Sequence, residues 1–137
     1  MGAPAAAFGL RILVAEDHPR NRELIGLILD SRGYRADLVE NGRLAVEAAR
    51  RQPYDLILMD LQMPEMDGYA ASEEILAKAS SARRPKIYAL TANVYPEDRQ
   101  RCLAAGMEEL LAKPIDFTEL FAIINVLLVE KLADGTR

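Results

Sequence analysis

The chain has 137 residues, half of them apolar, and a net charge of −4, which allows one core but not two ordinary domains. Its basic residues are scattered, so it carries no electrostatic footprint for DNA or RNA, and the single cysteine, Cys102, excludes an internal disulfide and suits a reducing cytoplasm. No apolar stretch reaches the length of a membrane span, and Met1 to Gly9 lacks the charged opening of a leader peptide.

Leu10 to Ala15 is apolar apart from Arg11, the pattern of a strand covered on both faces. Pro19 then opens a helix and Gly33 ends it. Tyr34 to Val39 reads as a second strand, after which Asn41 caps a helix with an apolar stripe of Leu44, Ala45, Ala48 and Ala49. Tyr54 to Met59 is a third strand. Asp67 caps a third helix carrying Ala70, Ala71, Ile75 and Leu76, and a polar loop from Ser80 to Pro85 precedes the strand Lys86 to Leu90. Pro96 and Gly106 bound a fourth helix, Leu110 to Ala112 is a short fifth strand, and Asp116 with Glu119 forms a capping box for the last helix. The domain is expected over residues 10–131, with a flexible segment over 1–9 and a tail over 132–137.

Strict alternation of strand and helix predicts an α/β fold, a doubly wound parallel sheet of five strands with helices on both faces. The common strand order for a sheet of this size is 2-1-3-4-5, the flavodoxin-like arrangement. Each strand ends in a polar residue, and in that order the ends carrying Glu16 and Asp17, Asp60, Thr91 and Lys113 share one crevice, while Asn41 falls at the sheet edge. Three carboxylates around one crevice repel, by about 4 kcal/mol for a like-charged pair at ~4 Å and an effective dielectric of 20. Lys113 supplies one positive charge, and oxygen donors without His or Cys suit Mg²⁺. With a phosphoryl group present, Asp60 can attack phosphorus in line, Lys113 and Mg²⁺ can neutralise its oxygens, and the Thr91 hydroxyl can donate to one of them.

Glu16-Asp17, the run Met59-Asp60-Leu61-Gln62-Met63-Pro64-Glu65-Met66-Asp67-Gly68, Thr91-Ala92-Asn93 and Lys113-Pro114 stand in that order at strand ends. In these motifs the chain resembles the receiver domains of two-component response regulators, from about Leu10 to about Leu128, and most of all those attached to hybrid sensor kinases. The resemblance implies that Asp60 accepts a phosphoryl group from a partner's phosphohistidine. It implies Mg²⁺ held by Asp17, Asp60 and the backbone carbonyl of Gln62, with Glu16 acting through water, and a cis Lys113-Pro114 bond. It also implies a signalling acceptor rather than an enzyme, in the cytoplasm, served by a histidine kinase or histidine phosphotransfer domain that in the full-length protein can be covalently attached.

His18, the only histidine, reads as a helix-opening residue, so the phosphoryl donor must be another protein, another domain or a small acyl phosphate. Many receivers carry Tyr or Phe three residues before the lysine; here Leu110 occupies that position, and a muted response of the fifth strand is expected. In the first helix Leu24, Leu27 and Ile28 are assigned to the core, leaving Ile25 and Leu29 as a second stripe that is either buried as well or open to a partner helix. The last helix is apolar nearly all round from Ala122 to Val129. Two rivals are disfavoured. Haloacid dehalogenase phosphatases need a second Asp where Gln62 stands, and a flavodoxin needs phosphate-binding amides where Glu16 to Asn21 is acidic.

Overall fold

The computed structural model describes residues 9–80 and 84–135. Five strands, β1 (Ile12–Ala15), β2 (Ala36–Val39), β3 (Leu56–Asp60), β4 (Lys86–Thr91) and β5 (Glu109–Ala112), alternate with five helices, α1 (Pro19–Ser31), α2 (Gly42–Arg51), α3 (Gly68–Lys78), α4 (Pro96–Ala104) and α5 (Phe117–Gly135). The strands form one sheet in the order β2-β1-β3-β4-β5, with every pairing parallel. Residues 1–8 of the expected flexible segment, 81–83 of the expected loop, and 136–137 of the expected tail lie outside the described residues. Helix α5 runs on into that tail as far as Gly135.

Local chemistry explains the element ends. Asn41 and Asp67 accept hydrogen bonds from the Leu44 and Ala70 amides, and so occupy donors that would be orphaned at the starts of α2 and α3. Pro19 and Pro96 sit in the first turns of α1 and α4, where no amide hydrogen is required. At Gly33 and Gly106 the chain turns out of a helix with φ of 86° and 93°, a region open to glycine at no steric cost. Asp116 accepts from the Thr118 and Glu119 amides at the start of α5.

Alternate strand residues feed two cores. Leu13, Ile57, Met59, Ile87 and Leu110 face α2, α3 and α4, while Ile12, Val14, Leu56, Leu58, Leu90 and Leu111 face α1 and α5. Both faces are covered, which is why the strands read as unbroken apolar runs.

The buried face of α1 differs from the expectation. Ile25 and Leu29 are 4% and 0% exposed and belong to the core, whereas Leu24 and Leu27 are 51% and 62% exposed. Ile25 and Leu29 pack into the core that α1 shares with α5, and half-buried Arg22, on the same face, donates from its guanidinium to the Glu16 carbonyl at 2.8 Å. A smaller correction falls in α3, where Ala70 is exposed and Tyr69 and Ser72 are buried.

Candidate phosphoacceptor site

Strand register brings the polar ends together. Ala15 pairs with Met59 and Asp60 with Leu90, so Glu16 and Asp60 leave the sheet side by side. Thr91 pairs with Ala112, and the Lys113 amide donates to the Thr91 carbonyl at 2.8 Å, which carries Lys113 to the same edge. The Lys113–Pro114 bond is cis. Gly68 lets α3 begin directly against this edge: a Cβ there would collide with the Asp60 carbonyl oxygen and the Leu61 Cα.

Asp60 is 3% exposed and Glu16 fully buried. Lys113 Nζ lies 2.9 Å from Asp60 Oδ2 and 3.0 Å from Glu16 Oε1. The ammonium thus bridges the two buried carboxylates. The other Glu16 oxygen, Oε2, accepts from the His18 amide at 3.0 Å, and Asp60 Oδ1 accepts from the Gln62 amide at 3.3 Å. Exposed Asp17 completes the acidic group, with one oxygen each from Glu16, Asp17 and Asp60 within 4.8 Å of one another.

The electrostatics follow from burial. Desolvation pushes the Asp60 carboxyl from its ordinary 3.8 up to about 6; the Lys113 hydrogen bond opposes this shift and the Glu16 carboxylate adds to it. Burial alone would lower the Lys113 ammonium, yet Asp60 and Glu16 together hold it above its ordinary range. The buried set of Glu16, Asp60 and Lys113 therefore carries one excess negative charge, and exposed Asp17 brings a third carboxylate beside it. That combination fits a hard divalent cation with oxygen ligands.

Of the residues singled out in the sequence, Glu16, Asp17, Asp60, Gln62, Thr91 and Lys113 all line one cleft of about 560 Å³. Thr91 is turned into its own loop: its hydroxyl donates to the Asn93 carbonyl at 3.0 Å and accepts from the Asn93 amide at 3.3 Å. His18 borders the cleft as the residue capping α1, and Asn41 lies away from it at the start of α2. Arg22 was not singled out in the sequence. Only its position one helical turn before Ile25, at i−3 on the same face, signals that it points inward.

The response regulator receiver domain model matches residues 12–125. The signal transduction histidine-protein kinase BarA of Escherichia coli K12 is 39% identical over 126 residues, and hybrid signal transduction histidine kinase B of Dictyostelium discoideum is 41% identical over 120. These matches cover 92% and 80% of this chain but only 13% and 6% of the two kinases. Among solved structures, the receiver domain of sensor histidine kinase PA1611 from Pseudomonas aeruginosa PAO1 has a magnesium ion coordinated in its active-site cleft. It is 48% identical, with a TM-score of 0.78, covering 88% of this chain and 98% of that one. The receiver domain of the Saccharomyces cerevisiae response regulator Ssk1, solved with the histidine phosphotransfer protein Ypd1, is 29% identical with a TM-score of 0.74, covering 81% and 83%. No helix of the described residues is long and apolar enough to cross a membrane. A doubly wound sheet whose ends gather Glu16, Asp17, Asp60, Thr91 and Lys113, matched by a family model across nearly the whole sheet, places this chain in the response regulator receiver domain family, most like the receivers of hybrid sensor histidine kinases.

Proposed function

We propose that this chain is the phosphoryl-accepting domain of a two-component phosphorelay, with Asp60 as acceptor and a phosphohistidine on a histidine kinase or histidine phosphotransfer domain as donor. The observation that carries the reading is the buried Asp60 carboxylate, 2.9 Å from the Lys113 ammonium and flanked by Glu16 and Asp17. In the transfer an Asp60 oxygen bonds to phosphorus as the donor's P–N bond breaks, and the imidazole nitrogen keeps the electron pair. Lys113 is the cation that the chain itself brings to the charge spreading over the phosphoryl oxygens. Thr91 donates to one of those oxygens once its hydroxyl leaves Asn93.

Asp17, Asp60 and the Gln62 carbonyl would hold Mg²⁺, with Glu16 acting through water. When bound, the ion supplies further positive charge for the phosphoryl oxygens and offsets the repulsion among the carboxylates. The domain turns over no metabolite; it assists its own phosphorylation and slow autodephosphorylation, and the phosphorylated state changes partner contacts or passes the group on. Because the matched kinases are many times longer than this chain, we place it beside kinase domains on the cytoplasmic side of a hybrid sensor. Incubation with acetyl phosphate and Mg²⁺ should add one phosphoryl group by intact mass, and the addition should disappear with chelator. A chain that gains nothing from acetyl phosphate or from a phosphorylated histidine phosphotransfer domain rules the reading out.

The donor's docking helix is assigned to the exposed side of α1. Leu24 lines the same cleft as Asp60, and Leu27 continues its stripe outward, at 51% and 62% exposure. Ile25, the residue expected from sequence to make this contact, is part of the core instead. Leu24→Glu should slow transfer from a phosphorylated histidine phosphotransfer domain by roughly tenfold or more, as loss of one central interface anchor does. Labelling by acetyl phosphate should stay within a factor of about two. Equal loss of both would count against docking at this surface.

A further inference from the structure

Beside the phosphoacceptor cleft lies a second one of about 510 Å³, which shares Asp17, Gln62 and Thr91 with it and is walled on the far side by Tyr69, Asp98 and Arg101. Tyr69, the second residue of α3, is only 7% exposed. Its hydroxyl donates to Asp98 Oδ1 at 3.0 Å, and the Arg101 guanidinium lies over its ring at 4.0 Å from the centroid. Burial, reinforced by Asp98, pushes the phenol well above its ordinary range, so it remains a donor across physiological pH. Both partners come from α4, so this one buried side chain joins α4 to α3.

Helix α4 has a second tie. Arg99 forms two hydrogen bonds to Glu109 of β5, at 2.7 and 2.9 Å, but these side chains are 57% and 37% exposed, where an ion pair holds little. Core packing of Cys102, 0% exposed, seats the middle of α4, and the contact of buried Tyr69 with Asp98 adds a polar tie that is better shielded than the Arg99 pair.

At the other end of the connection stands Thr91. Only Ala92 to Tyr95 separate it from α4, and its hydroxyl holds the first turn of that loop through Asn93. A hydroxyl has one proton and cannot donate to the Asn93 carbonyl and to a phosphoryl oxygen at once. Turning Thr91 toward Asp60 releases Asn93, and with it the loop that leads into Asp98.

We infer that Tyr69 couples the state of Thr91 to α4: its contacts with Asp98 and Arg101 hold α4 in its resting position while Thr91 is bonded to Asn93, and they release when Thr91 turns to a phosphoryl group on Asp60. This rests on the phosphoacceptor reading above. Leu110, 7% exposed in the core behind α4, has neither hydroxyl nor ring to carry the same signal, so β5 stays unchanged.

Amide hydrogen exchange with and without Mg²⁺ and beryllofluoride, a phosphoryl mimic, tests the coupling. In the parent chain the mimic should speed exchange over α4 several-fold and leave β5 unchanged. Tyr69→Phe keeps the ring under Arg101 and removes only the hydroxyl. It should exchange at the raised α4 rate without the mimic and gain less than about twofold from it. Asp98→Ala should behave the same way, whereas Arg99→Ala should keep the parental response. Both Tyr69→Phe and Asp98→Ala should still gain a phosphoryl group from acetyl phosphate.

Parental exchange in Tyr69→Phe under both conditions overturns the coupling, as does an α4 in the parent chain that ignores the mimic although the chain labels normally. A parent chain that takes up no phosphoryl group overturns the acceptor reading, and the coupling with it.

Discussion

Asparagine at position 60 should make the metal-free protein more stable while ending its capacity to be phosphorylated. Asp60 is 3% exposed and sits beside buried Glu16, and Lys113 balances only one of the two charges. Desolvation, opposed by Lys113 and aided by Glu16, moves its carboxyl from 3.8 to about 6, so at neutral pH the fold holds it ionised at a cost on the order of 1–3 kcal/mol. Asparagine keeps the shape, leaves Lys113 paired with Glu16, and removes the excess charge.

The sign with pH follows from the direction of the shift. A carboxyl whose value is raised on folding destabilises the protein above its folded value, and this is relieved as pH falls through about 6 toward 3.8. Urea unfolding in chelator should therefore show the gain in full at about pH 7.5 and none at about pH 3.5. Mg²⁺ should reverse the ranking, because binding to the native state alone stabilises the parent chain and asparagine forfeits that ligand. An Asp60→Asn variant less stable than its parent in chelator at neutral pH would mean that Lys113 already balances the site and that no cation is called for.

The site is legible in the sequence from where its charged residues fall. Glu16, Asp17, Asp60, Thr91 and Lys113 each follow an apolar run, and in a parallel sheet such positions meet at one edge by topology alone. The strand order and the gathering of these side chains were therefore legible. The facing of α1 was not. Its apolar residues fit two stripes equally well, Leu24-Leu27-Ile28 and Ile25-Ile28-Leu29, since both have the i, i+3, i+4 spacing. What separates them is which stripe packs against β1, β3 and α5, a tertiary arrangement that periodicity does not encode.

Tyr69 escaped notice for a related reason. A tyrosine just after a helix cap is an ordinary residue until the partners Asp98 and Arg101, about thirty residues further along the chain, come into contact with it. Likewise, sequence shows that Thr91 ends a strand but not that its hydroxyl is committed to Asn93. Patterns that depend on one element's period or terminus can be read in advance, whereas those that depend on which side chains reach across elements need the packed structure.

Removing the cation should have the opposite effect to removing the acceptor. Lys113 is the only described ammonium or guanidinium in ion-pair contact with either Asp60 or Glu16, and its side chain is 22% exposed against 4% and 1% for theirs. Lys113→Met keeps most of the apolar stem and leaves two carboxylates buried without a counter-charge. Breaking a buried pair in this way costs about 3–5 kcal/mol, because the orphaned charge must be desolvated or neutralised by a proton. The loss should appear as a lower urea midpoint with an unchanged slope. It should shrink on acidification, since protonating Asp60 removes one of the uncompensated charges.

Mg²⁺ then discriminates between a structural and an electrostatic role. In the parent chain a bound ion would share the carboxylates with an ammonium 2.9 Å from one of them; in Lys113→Met it would meet two unopposed anions, so each concentration of Mg²⁺ should stabilise the variant more than the parent. Yet the variant should accept phosphoryl groups slowly, because extra affinity for the ion does not replace the positive charge that Lys113 places beside the acceptor oxygen. A variant that is destabilised but gains no more from Mg²⁺ than its parent would show that Lys113 acts by packing, and that its charge is not what the acidic cluster requires.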